Sequence, residues 1–310
     1  MSRWVLPRSS AGGEGFDVLI DDRIDGWAHT GLRVVTFDGA AAHHIELAGN
    51  EFVVVPLNGG CRVEAFDADG NPHHADLTGR PDVWSGPTDV AYVPAGWRLR
   101  LSGPAGARTA VCSAVVPGDL VPQKFAHLAA AAVPVEMRGA GIASREVRNF
   151  GVPGVLDAAA IIVCEVLTPA GNWSSYPPHK HDEDRPGQEA ELEEIYYFET
   201  RVEGGRDVPA ADPIGYQRVS GTVDRPIDVF AEVRTGDVVL VPHGWHGPAM
   251  AAPGYDLYYL NVMAGPGETR AWLICDEPSH GWVRDTWAGQ EIDPRLPFGD
   301  PRLPFGDERP

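Results

Sequence analysis

The sequence predicts an all-β protein built from two similar halves, and three observations carry this prediction. Short apolar stretches rich in Val, Ile and Tyr recur along the chain and are separated by Gly, Pro, Asp or Asn. This spacing is typical of the strands of a sandwich or small barrel. The 36 glycines and 28 prolines in 310 residues favour many turns over long helices. A repeated motif, described below, indicates duplication.

The predicted strands follow one another along almost the whole chain. In order they are 32–37, 51–57, 61–66, 89–94, 107–116, 159–167, 194–199, 227–233, 237–242 and 257–263. The strongest helix candidate is the alanine-rich segment 123–132, so we expect only few and short helices.

The repeat relates one segment of each half. DVAYVPAGWRLRLSG (89–103) and DVVLVPHGWHGPAM (237–250) share Asp-Val, Val-Pro and Gly-Trp in the same register. Upstream of each segment an acidic residue opens a strand, Glu51 in the first half and Glu194 in the second. A repeat on this scale predicts a duplicated β-domain.

The repeat divides the chain into three parts. We expect an N-terminal domain at 1–145, a C-terminal domain at 146–290 and a proline-rich tail at 291–310. DPRLPFG occurs twice in that tail, and two prolines in seven residues exclude a helix. We expect an extended tail, and the sequence leaves open whether it packs across the body or a neighbouring molecule or stays disordered.

Composition excludes several classes of protein. The formal net charge is −19 and only two of the 25 basic residues are lysines, without a basic stripe, which argues against nucleic acid or an anionic membrane as partner. No apolar run approaches the roughly 20 residues of a membrane span. The N-terminal residues lack the apolar core of a signal peptide, and the four cysteines show no C-x-x-C spacing. We therefore expect a cytoplasmic protein.

A candidate metal site lies in the second half. His179 and His181 in PPHKHD are two residues apart, so an extended backbone aims both imidazoles to one side. Glu194, or its neighbour Glu193, begins the next strand, and His246 follows a later turn. Three imidazoles and a carboxylate would bind one divalent ion per chain, such as Zn, Mn, Fe or Ni.

The first half lacks this set of ligands. His43 and His44 are adjacent in sequence, as are His73 and His74, so in a strand the members of each pair face opposite sides. Arg98 stands near the place of the last histidine. We expect the N-terminal domain to be metal-free.

These motifs resemble the two signatures of the cupin superfamily. H-x-H, a glutamate before an apolar run, and GDVVLVPHGWH carry the resemblance, which implies two small barrels, a bicupin. The interval from His181 to Glu194 is longer than in the usual pattern, and one residue instead of two separates Gly244 from His246. In cupins the ligand directly precedes the apolar run, which favours Glu194 over Glu193.

A closer resemblance covers most of the chain. SSYPPHKHD, EEIYYFE, VPHGWHGP, PGYDLYYLNVMAGP and RGAGIASREVRNFG (138–151) are similar to the 5-deoxy-glucuronate isomerase family of bacterial inositol catabolism, bicupins related to deoxy-hexosulose-uronate ketol-isomerases. The resemblance implies an aldose–ketose isomerase that converts 5-deoxy-D-glucuronate, a small sugar acid, to 5-dehydro-2-deoxy-D-gluconate.

By proton transfer, such an isomerisation needs a base and stabilisation of a developing enediolate. A metal-directed hydride shift is the other route to the same product, and the sequence leaves the choice open. The candidates for the base or proton shuttle are Tyr255, Tyr259 and His280. Alternation puts Tyr255 and Tyr259 on one face of a strand, with Asp256 and Tyr258 on the other, and does not tell which face points inwards.

The substrate carboxylate needs a cationic partner. Arg185, Arg270 and Lys180 are the local candidates, although alternation aims Lys180 away from the metal ligands. Arg145 and Arg148 are further options.

Two other functions compete with this interpretation. An Fe(II) dioxygenase could use the same ligands and would consume O₂, and a sugar-binding bicupin would have no catalysis. The sequence does not decide the oligomeric state, and a homodimer is one possibility because cupin edges often pair between subunits.

Overall fold

A computed structural model of the protein describes residues 2–118 and 123–299, and nearly all regular structure in these residues is strand. The described residues contain one short α-helix, α1 (Arg8–Ala11), and four 3₁₀ segments, at Ala130–Ala132, Gly141–Ala143, Glu203–Gly205 and Gly281–Trp287. In chain order the strands are β1 (Val5–Leu6), β2 (Val18–Ile20), β3 (Thr30–Thr36), β4 (His43–Ile45), β5 (Asn50–Phe66), β6 (Pro72–Arg80), β7 (Val90–Val93), β8 (Arg98–Ser102), β9 (Arg108–Val115), β10 (Ala126–Leu128), β11 (Val135–Arg138), β12 (Arg145–Gly151), β13 (Ile162–Thr168), β14 (Trp173–Ser174), β15 (His179–Lys180), β16 (Asp182–Arg185), β17 (Glu189–Glu191), β18 (Glu193–Val202), β19 (Gly215–Ser220), β20 (Asp228–Val233), β21 (Val238–Val241), β22 (Trp245–Ala251), β23 (Tyr255–Ala264) and β24 (Cys275–Asp276). The predicted all-β class is confirmed.

Each apolar stretch predicted as a strand is a strand in the structure. The stretches 51–57 and 61–66 join into one long strand, β5, because the chain stays extended through Asn58-Gly59-Gly60. Its first part pairs with β7 and β9 and its second part with β6 and β8, so this one strand takes part in both layers of the first barrel.

The predicted helix at 123–132 is wrong. Within it, Ala126–Leu128 forms β10, which pairs with β7 so that Ala126 lies opposite Tyr92, and only Ala130–Ala132 makes a single 3₁₀ turn. Helix propensity is worth a few tenths of a kcal/mol per residue, and backbone pairing along the free edge of β7 outweighs it.

The two halves share a sheet topology. The first-half sheet runs β10-β7-β5-β9-β3-β2, with β4, β6 and β8 attached, and the second-half sheet runs β1-β21-β18-β23-β13-β12-β11. A third sheet, β20-β19-β22-β15-β24 with β14 attached, closes the second barrel, and β16 and β17 form a separate hairpin. The common order β7-β5-β9-β3-β2 and β21-β18-β23-β13-β12 is the duplication that the repeat predicts.

The pairing registers correct one detail of that repeat. Val93 lies opposite Phe52, and its repeat partner Val241 lies opposite Glu194. Phe52 therefore occupies in the first half the position that Glu194 has in the second. Glu51 corresponds to Glu193, one residue away from the equivalence expected from the sequence.

Glu51 and Glu193 join the two halves reciprocally. The Glu193 carboxylate accepts the backbone N–H groups of residues 28–30 at 2.6–3.2 Å, just before β3. The Glu51 carboxylate accepts those of residues 159–161 at 2.6–2.9 Å, just before β13. Each half thus fixes the entry of the first long strand of the other.

The interior of the first barrel is apolar. Phe52 and Val54 on β5 pack there with Val93, Leu99 and Leu101 among other buried residues. The second apolar core lies between the two large sheets and extends into the second barrel. Apolar side chains therefore fill the interior of the first barrel.

The sheet of the second half also contains strands from the stretch 1–145. β1 pairs with β21, with Val5 opposite Val239, and β11 pairs with β12. Two segments from the stretch 1–145 therefore complete the sheet of the second half.

The first copy of the DPRLPFG repeat, 293–299, packs across both halves. Arg295 donates to Glu203 Oε1 at 2.8 Å, and the ring centre of Phe298 lies 5.7 Å from that of Trp84. The second copy, 300–306, lies outside the described residues. Among residues 2–118 and 123–299, no helix has the length and apolar character needed to cross a membrane.

Candidate functional site

Three histidines and one glutamate meet inside the second barrel. His179 begins β15 and lies opposite His246 of β22 in the same sheet, whereas His181 follows β15. Glu194, the second residue of β18, comes from the facing sheet. The site therefore joins the two sheets of this barrel.

The ligand atoms lie at distances suited to a shared ion. One nitrogen of each of His179, His181 and His246 lies within 4.8 Å of the others. Glu194 Oε2 is 3.2 Å from His181 Nε2 and 3.1 Å from His246 Nε2. His246 Nε2 is buried without a hydrogen bond of good geometry among the described residues, and such an atom is suited to bind a metal ion.

Backbone carbonyl groups orient all three imidazoles. The Nδ1 atoms of His179, His181 and His246 lie 3.3, 3.1 and 3.1 Å from the carbonyl oxygens of Pro177, Leu192 and Gly244, respectively. A carbonyl oxygen only accepts, so Nδ1 carries the proton and the Nε2 lone pair faces the cluster. Three such nitrogens and one carboxylate oxygen fit a divalent transition metal.

Burial and the one carboxylate act in different directions on the pKa values of the cluster. Burial, helped by the neighbouring His246 and His181, holds the pKa of His179 well below its ordinary value, so this imidazole is neutral. Burial by itself raises the pKa of Glu194, but the neighbouring imidazoles of His181 and His246 outweigh it and lower the pKa to about 2. The same carboxylate raises the pKa of His181 against the effect of burial.

Glu194, rather than Glu193, reaches the histidines. Successive side chains of β18 point to opposite faces, and Glu193 is bound to residues 28–30. Strand alternation therefore turns Glu194 towards the histidines and Glu193 away from them.

A cavity of about 380 Å³ opens beside the histidine cluster. His179 and Glu194 lie in its wall together with polar and apolar residues of the barrel interior. The remaining lining residues are Arg138, Arg145, Val147, Val166, Ser175, Tyr196, Tyr259, Asn261, Trp272, Ile274, Asp276 and Arg284.

Tyr259 is the candidate catalytic residue that the structure brings to this cavity. Its hydroxyl lies 2.9 Å from Ser175 Oγ, which is also 3.2 Å from the Tyr196 hydroxyl. Burial raises the pKa of Tyr259 to about 12, so it is a proton donor at neutral pH. Asp256 and Tyr258, on the other face of β23, bond to Arg201 and Glu165 instead.

The other two catalytic candidates lie elsewhere. Tyr255 begins β23 opposite Val202, and His280 is partly exposed, with Nε2 3.8 Å from Glu277 Oε2. Neither lines the cavity.

The three arginine and lysine residues expected to bind the substrate carboxylate do not line the cavity either. Lys180 Nζ bonds to Asp182 at 2.6 Å and to Glu189 at 2.8 Å, on the opposite side of the strand from the histidines. Arg185 also bonds to Glu189. The guanidinium of Arg270 donates to the carbonyl oxygens of residues 151, 156 and 161 at 2.6–2.7 Å, where it supports the loop before β13.

Arg145 and Arg148, the two further candidates for binding the substrate carboxylate, have different surroundings. Arg145 lines the cavity. Arg148 is fully buried and donates to Glu146 and to the carbonyl oxygen of Val83, each at 2.7 Å.

Sequence reasoning missed Arg138, Asp276 and Arg284. Asp276 lies directly opposite His179 in the β15–β24 pairing, and Arg284 Nη2 donates to Asp276 Oδ1 at 2.7 Å. The pairing joins segments far apart in the chain, and no local pattern signals it. Arg138 stands in the segment 138–151, whose resemblance to a known family was the one available signal.

Comparison with known proteins agrees with the motifs. The model of the KduI/IolB family matches residues 5–283. The chain is 37% identical over 295 residues to the 5-deoxy-glucuronate isomerase of Geobacillus kaustophilus, covering 92% of this chain and 97% of the relative. A second 5-deoxy-glucuronate isomerase, from Geobacillus thermodenitrificans, is 36% identical over 291 residues, with 92% and 97% covered.

Solved structures agree on the fold and on the family. An oxalate decarboxylase from Lactobacillus farciminis superposes with a TM-score of 0.60 at 12% identity, covering 89% of each chain, and this likeness shows the double cupin fold alone. An IolB-like protein from Salmonella typhimurium superposes with a TM-score of 0.77 at 30% identity, covering 91% of this chain and 99% of that one. From the family match and these identities, the chain belongs to the KduI/IolB family.

Proposed function

We propose that this protein is a metal-dependent aldose–ketose isomerase that converts 5-deoxy-D-glucuronate to 5-dehydro-2-deoxy-D-gluconate in inositol catabolism. The observation that carries the proposal is the cluster of three oriented imidazoles and Glu194 beside a cavity that also holds arginines. Similarity to proteins named 5-deoxy-glucuronate isomerase over nearly the whole chain supports the choice of substrate.

In this proposal His179, His181, Glu194 and His246 hold one divalent ion. The convergence of the Nε2 atoms on Glu194 supports this ligand set. When bound, the ion would polarise the substrate carbonyl and stabilise negative charge on the adjacent oxygen.

Asp276 is our candidate for the group that moves the proton. Apart from Glu194, it is the one carboxylate among the described residues that line the cavity, and Arg284 keeps it oriented. It would take the proton from C2 of the aldose and return it to C1, while the proton of the C2 hydroxyl passes to the C1 oxygen. The redox state of the substrate as a whole is unchanged, so no co-reactant is needed.

Tyr259 keeps a role in this scheme as a donor. Its raised pKa and its bond to Ser175 leave a protonated hydroxyl inside the cavity, able to donate to a substrate oxygen. Tyr255 and His280 lie outside the cavity and take no part.

Elemental analysis of the purified protein, combined with an anaerobic NMR assay on 5-deoxy-D-glucuronate, tests the proposal. We expect about one metal ion per chain and turnover without O₂. An Fe(II) dioxygenase would require O₂, and a sugar-binding bicupin would bind without turnover, so either result would replace the isomerase proposal.

We also place the enzyme in the cytoplasm. The four cysteines are free thiols, three of them buried, which is usual in a reducing compartment. Two further expectations stay predictions. One is that the protein has no nucleic-acid or membrane partner, and the other is that it forms a homodimer.

A further inference from the structure

Three arginines line the cavity, and among the described residues only one of them, Arg145, lacks an acidic partner. Arg138 bonds to Glu136, with Nη2 2.7 Å from Oε2, and Arg284 bonds to Asp276. Arg145 makes one hydrogen bond, from Nη1 to the carbonyl oxygen of Ala143 at 3.0 Å. Within the described parts of the chain, no carboxylate forms an ion pair with Arg145. The cavity therefore contains one guanidinium whose charge the protein leaves unbalanced.

The fold holds this guanidinium in place. Arg145 is the first residue of β12, opposite Arg138 of β11, and Val147, two residues further on the same face, lines the same cavity. Its guanidinium carbon lies 5.5 Å from the centre of the Trp287 ring. The carbonyl of Ala143 and this ring leave little freedom to the side chain, so a ligand would meet an oriented donor.

Burial makes the lack of an acidic partner for Arg145 costly in free energy. The residue is only 5% exposed, and a buried charge without a partner is costly in free energy. Burial lowers the pKa of Arg145 to about 10, which still leaves the guanidinium charged at neutral pH. An anionic ligand in the cavity would supply the missing negative charge.

We infer that Arg145 binds the carboxylate of the substrate and thereby selects sugar acids over neutral sugars. The inference rests on the proposed function, which sets a uronic acid in this cavity. The guanidinium fork matches a carboxylate in two parallel hydrogen bonds. Arg138 and Arg284 would have to give up Glu136 and Asp276 to do the same, so Arg145 is the specificity-determining residue.

The test compares 5-deoxy-D-glucuronate with 5-deoxy-D-glucose, which has the same aldose end but no carboxylate. We expect Arg145→Gln to lower kcat/KM for the acid by about 10- to 100-fold, mainly through KM, because charge-assisted hydrogen bonds are lost. We expect kcat/KM for the neutral sugar to change by less than about threefold, since it makes no such bonds. Metal content should equal that of the wild type.

Further variants separate loss of this contact from other effects. Arg145→Lys keeps the charge and loses the two-pronged geometry, so its KM for the acid should lie between those of wild type and Arg145→Gln. Arg206→Gln, an exposed arginine beside Glu203, is the control for removing one positive charge. Arg138→Gln and Arg284→Gln test the rival arginines, and a larger rise of KM in either would overturn the assignment.

The outcomes for the proposed function and for this inference can be told apart. If the wild type does not convert 5-deoxy-D-glucuronate, the proposed function fails. If the wild type converts it and Arg145→Gln keeps its KM for the acid, only the inference on Arg145 fails. Should Arg145→Gln not fold, an unchanged KM in Arg145→Lys would overturn the inference in its place.

Discussion

At the scale of single residues, three carbonyl oxygens decide the chemistry of the histidine cluster. Each Nδ1 is used by a backbone carbonyl, so each Nε2 lone pair is free for an ion. The carbonyls of Leu192 and Gly244 come from the segments that also supply Glu194 and His246. The orientation of the imidazoles is therefore built into the same strands and turns that deliver the ligands.

His181→Ala should lose bound metal and isomerase activity together while the protein stays folded. The variant removes one of three imidazole ligands but leaves the core between the two large sheets intact. Metal content by elemental analysis and secondary structure by circular dichroism measure both effects. His243→Ala is a matched control from the turn before His246, and it should keep its metal. Full metal content in His181→Ala would contradict the ligand assignment.

Asp276→Asn tests the proposed proton carrier. The amide keeps the size of the side chain but cannot take up a proton, so kcat should fall by roughly 10²- to 10⁴-fold. Metal content and the KM of the substrate should change little. Exchange of the substrate C2 hydrogen with solvent, followed by NMR, gives a second readout, and unchanged exchange in the variant would exclude Asp276 as the base.

At the scale of secondary-structure elements, β18 shows how one strand serves two functions. Glu193 points towards the first half and accepts three backbone N–H groups, whereas Glu194 points into the second barrel. β5 of the first half repeats this geometry with Glu51, but its inward residue is Phe52. The same inward position is therefore apolar in the first barrel and acidic in the second.

Glu194→Gln and Glu193→Gln should have opposite effects. Glu194→Gln should lose metal affinity and keep its stability, since the amide is a poor ligand for a transition metal. Glu193→Gln should keep its metal but lose about 1–3 kcal/mol of unfolding free energy, because the charged acceptor of residues 28–30 is replaced by a neutral amide. Metal titration and denaturant unfolding of both variants distinguish the two, and the reverse result would exchange the roles of the glutamates.

At the scale of the whole molecule, a buried ion pair joins the halves. Arg80 of β6 donates through Nη1 to Glu165 of β13 at 2.9 Å, and Tyr258 donates to the same carboxylate at 2.7 Å. Arg80 and Glu165 are both almost completely buried. Together with the Glu51 and Glu193 contacts, this pair joins the two halves through buried polar groups.

Acid should destabilise the protein through Glu165. Burial by itself raises the pKa of Glu165, but the charge and hydrogen bonds of Arg80 outweigh burial and lower the pKa below its ordinary value of 4.5. A lowered carboxyl pKa means that the unfolded state binds more protons in acid, so stability present above about pH 4.5 is lost as pH falls below that value. Denaturant unfolding at several pH values between 7 and about 3 should show this decline.

Glu165→Gln isolates the contribution of this pair. It leaves the guanidinium of Arg80 buried without a counter-charge, which should lower the unfolding free energy at pH 7 by about 3–5 kcal/mol. The decline in acid should then be shallower than in the wild type. The exposed pair of Arg234 and Asp212 provides a control, since Asp212→Asn should cost less than about 1 kcal/mol. An undiminished slope in Glu165→Gln would assign the acid sensitivity to other carboxyl groups.

The sequence by itself predicted those features that depend on residues close together in the chain. Alternation and turn residues located the strands, the repeat revealed the duplication, and the spacing of His179, His181, Glu194 and His246 identified the residues that meet in the second barrel. Alternation also aimed Lys180 away from them, as the structure has it. These features are local because side-chain direction in a strand follows from backbone geometry.

The tertiary structure decided what depends on contacts between distant segments. It made a strand of Ala126–Leu128, because an edge of β7 was available, and it brought Asp276 opposite His179 through a two-residue pairing. It also assigned partners to the arginines, so that Arg270 supports a loop while Arg145 faces the cavity without a counter-charge. Charge pairing depends on three-dimensional neighbours, and no spacing along the chain encodes them.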